Sequence, residues 1–262
     1  MGTVSSRVIA LAASAASATS AAAAASAVLL APAVASAGRT QFGWLFGTEV
    51  MPERGAEIQT WVTEENGADE VNYHDTVWGV QALIGVTDQL ELAFPVDLIW
   101  LDSDASGPAF TWRSYGVEAR YRFVSSDPVD APPFAPLARI AVKRDVIARD
   151  TVVAEANFVA STTTSSGSVL ALVDLGAVGR ITRDDAKFEL RPGIGVSFKV
   201  VGDLRLGAEV FARINLHEKD ERWVAAGPNL AWSHGRSWVS AAMGIGLYQI
   251  KTAPALNWGI MF

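Results

Sequence analysis

Cysteine is absent from all 262 residues. Without thiolates there is no disulfide framework, no Cys-ligated zinc or iron–sulfur site, and no cysteine to carry a lipoprotein anchor. Histidine is scarce, with only His74, His217 and His234, which leaves few groups for acid–base chemistry near neutral pH. Basic residues fall short of acidic ones, 21 against 28, for a formal net charge of −7. A general nucleic-acid binder needs a basic footprint, so no nucleic-acid partner is expected. Charged residues make up 19% of the chain while hydrophobic ones make up 50%, the reverse of the signature of a disordered polyelectrolyte. Beyond Gly38 no run of 18 apolar residues occurs, so no helical membrane span is expected. No glycine-rich phosphate loop joins a strand to a helix, and no metal or other cofactor is expected.

What is present divides at residue 37. Residues 1–37 hold one charge, Arg7, in a background of Ala and Ser, with an apolar patch at Ala27–Leu30 and a Val34–Ala35–Ser36–Ala37 ending. A basic start, an apolar middle and a small-x-small end make a secretory signal peptide. A membrane anchor fits less well, because Pro32 interrupts the run. Residues 38–55 then form a periplasmic lead-in, and 56–262 form the folded domain.

The mature chain alternates with period two, the mark of half-buried strands. Between Gln89 and Leu101, Leu90, Leu92, Phe94, Val96, Leu98 and Trp100 take one face, and Glu91 and Asp97 the other. Residues 187–200 and 204–215 repeat the pattern. A soluble sandwich or a barrel in lipid would bury such a face. Three features favour lipid. The strands run to about 10–13 residues, beyond the ~5–6 of globular sheets and near the ~9–11 that cross a bilayer with tilt. The opposite face carries charge and glycine, as a barrel lumen does. Aromatic residues recur near strand ends (Trp61, Trp78, Trp100, Trp112, Tyr121, Phe123, Trp223, Trp232, Trp238), where an apolar ring with a polar edge suits the membrane interface. The chain closes on Leu256, Trp258, Ile260 and Phe262 at alternate positions, like the last strand of outer-membrane barrels, which the assembly machinery recognises. The expected fold is an all-β, transmembrane, antiparallel up-and-down barrel in the outer membrane of a Gram-negative bacterium.

Twelve strands are predicted, over 56–65, 75–86, 89–101, 111–123, 136–147, 151–161, 168–181, 187–200, 203–215, 222–233, 237–248 and 255–262. Ten or fourteen follow if the lead-in Gln41–Val50 is itself a strand or if one pair is misread. With both chain ends in the periplasm, short turns are expected inside and longer loops outside. The Pro-rich segment 125–136 is long yet falls on the inside by parity. The apolar lead-in, with Phe42, Trp44, Leu45 and Phe46, is expected either to tuck into the periplasmic mouth as a plug or to act as an edge strand or interface anchor.

Two stretches resemble the phenol-degradation meta-pathway transporter family of outer-membrane proteins. One is Thr48–Gly55 followed by Ala56–Trp61; the other is Gly85–Leu92, read as Gly-Val-Thr-Asp-Gln-Leu-Glu-Leu. Gly207–Ala208–Glu209, Gly227–Pro228 and the last strand are also similar. The resemblance implies an outer-membrane barrel taking up small, often hydrophobic compounds, and it implies no catalytic residues.

On this register the inward face carries Glu57, Glu91, Asp97, Glu118, Glu155, Asp174, Glu189 and Glu209. It also carries Arg120, Arg122, Arg139, Lys143, Arg180, Lys187, Arg191, Lys199, Arg205 and Arg213. A wall of mixed sign fits a salt-bridged or weakly selective lumen, since an ion-selective pore wants a ring of one sign. The expected partners are outer-membrane lipid, lipopolysaccharide, the barrel-assembly machinery and a small-molecule solute, and no covalent chemistry is expected. One alternative is a surface-loop hydrolase in which His74 beside Asp75, or His217 beside Glu218 and Asp220, orients a water. No histidine is expected on a strand at lipid level, which disfavours a barrel lipase. The other alternative is a closed structural or adhesion barrel.

Overall fold

The computed structural model describes residues 40–67, 74–102, 109–125, 132–217 and 222–262; the signal-peptide reading of 1–37 lies outside them. Twelve strands are present among the described residues: β1 (Ala56–Gly67), β2 (His74–Gly85), β3 (Leu90–Asp102), β4 (Ala109–Arg122), β5 (Phe134–Asp145), β6 (Val152–Thr163), β7 (Val169–Ile181), β8 (Ala186–Val201), β9 (Leu204–Asn215), β10 (Arg222–His234), β11 (Ser237–Tyr248) and β12 (Ile250–Met261). Each pairs antiparallel with its sequence neighbours, and β1 pairs with β12 to close the barrel. Closure satisfies every ladder and leaves no edge strand, which is what a sheet crossing lipid requires. No helix among the described residues is long and apolar enough to cross a membrane, which says nothing of strands.

The outward rows are apolar. Phe94, Ile140, Phe158, Leu175, Ile194 and Ile245 stand exposed at mid-strand, Ile140 by 60%. In water such a surface would aggregate; in a bilayer it is the solvated face. The inward rows hold the buried polar residues and also a small apolar core inside the barrel. Phe42, Leu45 and Val50 of the lead-in pack there with Leu137, Val159, Leu172, Phe211 and Trp223 of the wall.

Strand ends agree with the sequence reading within a few residues, except for β12, which starts at Ile250 and runs through Pro254. Proline cannot donate to a ladder. Here it sits where β1–β12 pairing lapses, between Thr63↔Ala255 and Asn66↔Thr252. The loop lengths do not show the expected asymmetry. The end that carries Ala56 and Met261 has tight turns at Gly202 and Gly235, both with positive φ, but it also has the longest connection, 123–133. At the far end the connections are 68–73, 103–108, 146–151, 182–185, 216–221 and Gln249 alone.

The aromatic set also splits. Trp78, Trp100, Trp112, Tyr121, Phe123 and Trp232 are exposed on the outer face. Trp61, Trp223 and Trp238 face the lumen instead, because they share parity with Glu57 and the other inward residues of their strands. Trp61 and Trp223 line the lumen cavity, and Trp238 donates its indole N–H to Glu57 Oε1 at 2.9 Å.

Candidate functional site: a plugged lumen with a charged cavity

The lead-in forms no strand. It enters the lumen from the rim at Gly55, where Arg54 N–H bonds Gly85 O at 3.1 Å, rises to Trp44–Phe46 near mid-height, and turns back at Phe42. The wall residues that hold it are those the alternation placed inside. Glu91 accepts from Met51 N–H at 2.7 Å, and Arg122 donates to Glu49 at 2.8 Å. Asp174 accepts from Phe46 N–H at 3.1 Å, and Glu209 from Gly43 N–H at 3.0 Å. Ser240 donates to Phe42 O at 3.0 Å and Asn257 to Gly43 O at 2.9 Å. The Trp44 indole donates to Ala253 O at 2.9 Å. A segment without regular structure must find partners for its backbone groups; these carboxylates and amides supply them.

Packing follows the same fit. Phe42 is wholly buried. An added Cβ on Gly195 would stand 2.3 Å from its ring, and one on Gly193 would stand 2.2 Å from Leu45 Cδ2. The two inward glycines of β8 therefore make room for the plug. Trp44 stacks on Phe211 with centroids 4.6 Å apart and meets Trp223 edge-on at 5.7 Å. The Phe46 ring lies 4.1 Å from the Arg139 guanidinium carbon and 5.5 Å from that of Arg120, within cation–π range.

Between the plug and the far end lies a cavity of ≈ 270 Å³. Its wall across β3 to β7 is one continuous ion-pair network. Arg120 pairs with Glu118 at 2.6 Å and Glu91 at 3.7 Å. Arg139 bridges Glu118 at 2.6 Å and Glu155 at 2.8 Å, and Lys143 bridges Glu155 at 3.1 Å and Asp97 at 3.0 Å. Asn157 extends it, accepting from Arg139 at 2.9 Å and donating to Asp174 at 2.8 Å. On the opposite side Arg213 of β9 reaches Glu65 of β1 at 2.5 Å, spanning the lumen past β10–β12, and pairs with Glu189 at 3.2 Å; Glu189 also holds Arg191. Arg205 lies away from the cavity and braces the turn at the rim, donating to Gly167 O and Ser197 O, both at 3.0 Å. These groups are linked across strands rather than lined up as a ring of one sign.

The alternation missed Arg113 of β4, which also lines the cavity. The β3–β4 register slips between Asp97 and Leu98, opposite Ser114 and Trp112, so Arg113 is the extra residue of a β-bulge. A bulge re-aims side chains, and a strict period-two register places Arg113 on the wrong face. The trace in the sequence is that Phe110 and Trp112 face outward at even numbers, and Tyr115 and Val117 at odd ones.

The histidines lie elsewhere. His74 is the first residue of β2 and His234 the last of β10, so both stand at strand ends. Asp75 next to His74 points to the other face, as neighbours in a strand must. His74 Nδ1 hydrogen-bonds Asn66 Oδ1 and lies 3.7 Å from Glu64 Oε1, and Nε2 is 3.3 Å from Thr76 Oγ1. His217 Nδ1 accepts from Phe188 N–H at 3.3 Å; its acidic neighbours Glu218 and Asp220 lie outside the described residues. His234 stacks on Trp232. Among the described residues no group of three or more acidic or histidine side chains could hold a metal ion.

A closed antiparallel barrel of twelve strands, apolar outside and charged inside, has the architecture of the outer-membrane barrels. Solved structures agree. The chain is similar to an outer membrane channel from Pseudomonas putida F1, with a TM-score of 0.61 and 12% identity over 82% of this chain and 98% of that one. It is similar to the beta domain of the Bordetella autotransporter BrkA (TM-score 0.55, 10% identity, covering 79% and 99%) and to the KdgM porin (0.50, 10%, 79% and 99%). At such identities the likeness is one of fold. No family model matches the chain, and no characterised protein matches it in sequence.

Proposed function

We propose that this protein is a transporter-like barrel of the bacterial outer membrane, which takes a small solute into its lumen without covalent chemistry. The observation that carries this reading is the division of the lumen. The lead-in fills one half through contacts a displaceable segment would make, and a charged, aromatic-floored cavity occupies the other. The apolar outward rows support a membrane setting, with lipid and lipopolysaccharide as neighbours of a Gram-negative surface. Leu256, Trp258, Ile260 and Phe262 would serve the assembly machinery as the closing-strand signal; Phe262 N–H bonds Ala56 O at 2.8 Å, across the β1–β12 seam. The similarity of residues 48–61 and 85–92 to the phenol-degradation transporter family favours solutes with an apolar body.

The test is single-channel recording of the refolded mature chain in a planar bilayer, alongside a variant lacking residues 38–50. Small or rare steps from the full chain and larger steps from the deletion are expected. A folded deletion variant that is silent would overturn the transport reading and favour the closed structural barrel. Recovery of the expressed protein in the soluble periplasmic fraction would overturn the membrane assignment.

A second reading rests on Asn66, His74 and Thr76. A hydroxyl, an imidazole and an amide joined in that order are the elements of a nucleophile–base–orienter triad, here on the outer face near the far rim. Hydrolysis of a short-chain p-nitrophenyl ester, lost in both His74→Ala and Thr76→Val, would support it. An activity that survives His74→Ala combined with His217→Ala would remove it.

A further inference from the structure

The lumen cavity holds two arginines that form no ion pair among the described residues. Of its basic side chains, Arg120, Arg139, Lys143, Arg191 and Arg213 each hold a carboxylate. Arg113 and Arg180 line the same cavity, and their guanidinium groups have no hydrogen-bond or ion-pair partner among the described residues. The like charges felt at Arg113 are those of Arg180, Arg213 and Arg191. The opposing ones are Asp97, already engaged by Lys143 at 3.0 Å and by Ser114 at 2.6 Å, and Asp75 on the lumen side of β2, which acts on Arg113 without closing an ion pair with it. Glu189, an acid on which Arg180 acts, is taken up by Arg191 and Arg213.

Arginine does not shed its proton in a protein. Two guanidinium groups without an ion pair among the described residues, set in one narrow cavity, therefore favour an anion between them. The fold departs from regular pairing to create this state, because Arg113 reaches the lumen only through the bulge opposite Asp97 and Leu98. Facing the arginines are flat apolar surfaces: Trp44 and Phe46 at the floor, Trp61 and Trp223 on the wall. Guanidinium groups prefer planar oxoanions, which they grip two bonds at a time, and aromatic rings prefer flat apolar partners.

From this juxtaposition we propose that the cavity is a binding site for a small organic oxoanion on a flat apolar body, with Arg113 and Arg180 holding the anionic group. The site deepens the transport reading by naming its solute class, and it rests on that reading only for how the solute arrives.

The test is calorimetric titration of the refolded mature chain in detergent with benzoate, its neutral isostere benzamide, and acetate. Benzoate is expected to bind at least tenfold more tightly than either of the others, and less tightly as chloride rises. Arg113→Gln with Arg180→Gln should erase the preference for benzoate over benzamide, while Arg149→Gln on an exposed connection should leave it unchanged. The double variant breaks no ion pair among the described residues, so its fold should hold, as the heat-dependent electrophoretic shift of the barrel would check. Equal affinity for benzoate and benzamide, no binding of either, or an intact preference in the double variant would each overturn the proposal. Conductance from the plug-deleted barrel without a benzoate preference fails this inference alone. A preference without conductance fails the transport reading alone.

Discussion

Removing the phenyl ring of Phe42 isolates the hold of the lead-in on the lumen. The ring is wholly buried, seated over Gly195 and next to the apolar core inside the barrel. Truncating a buried Phe to Ala costs about 3–5 kcal/mol. The lower end applies here, because the site borders an aqueous lumen that can refill the gap. In the released lead-in residue 42 meets water in either sequence, so most of this loss falls on the seated state alone. A change of about 3 kcal/mol shifts the seated-to-released ratio roughly a hundredfold. The assay is the ratio of open to closed dwell times in single-channel records of Phe42→Ala against the unaltered chain. Gly195→Val attacks the same contact from the other side, since its Cβ would fall 2.3 Å from the ring, and it should shift the ratio in the same direction. Dwell ratios unchanged within about twofold in both variants would refute the idea that this packing holds the lead-in.

Three further outcomes are expected. Glu209→Gln keeps an acceptor for Gly43 N–H but puts an amide NH2 in place of the second oxygen, which accepts from Trp44 N–H, and so weakens the hold by about 1 kcal/mol; its dwell ratio should shift in the same direction as Phe42→Ala but less. Arg139→Ala leaves Glu118 and Glu155 without their shared guanidinium and should cost about 3–5 kcal/mol, read as a lower urea midpoint of the barrel folded in vesicles. Ile140→Arg places a charge on the outward face at mid-strand and should cost about 2–4 kcal/mol in lipid, with little effect on the lumen, so the same urea titration should register it while benzoate titration does not.

The barrel was legible in the sequence because lipid outside and water inside impose opposite demands on successive residues. Between Leu90 and Trp100 those demands alone separate the outward Leu and Phe from the inward Glu91 and Asp97. What escaped the alternation has physical causes. Arg113 escaped because one bulge inverts parity for the rest of its strand. Trp61, Trp223 and Trp238 escaped because an indole suits both a membrane interface and a polar lumen; their parity with Glu57 and its like was the available clue. The start of β12 escaped because Pro254 reads as a strand breaker, and only the lapse in β1–β12 pairing makes it tolerable. The path of the lead-in is a tertiary matter. Its local trace is the glycine pair Gly193 and Gly195, set in an inward row that otherwise carries Lys187, Glu189 and Arg191.

The shortness of the far-end connections has a bearing on how such a barrel could change its preference. In many binding proteins new specificity is gained in loops, which accept insertions and substitutions cheaply while a rigid scaffold stands unchanged. Here β11 passes to β12 through Gln249 alone, and β7 to β8 through 182–185. Discrimination is left to side chains such as Arg113, Arg180 and Glu155, set in the strands themselves. Glu155 and Arg180 are flanked by outward-facing residues and paired on both sides, and Arg113 depends on the register slip beside it. A shift in solute preference would therefore have to come by substitution within the ladder, one inward position at a time, with length and register held fixed.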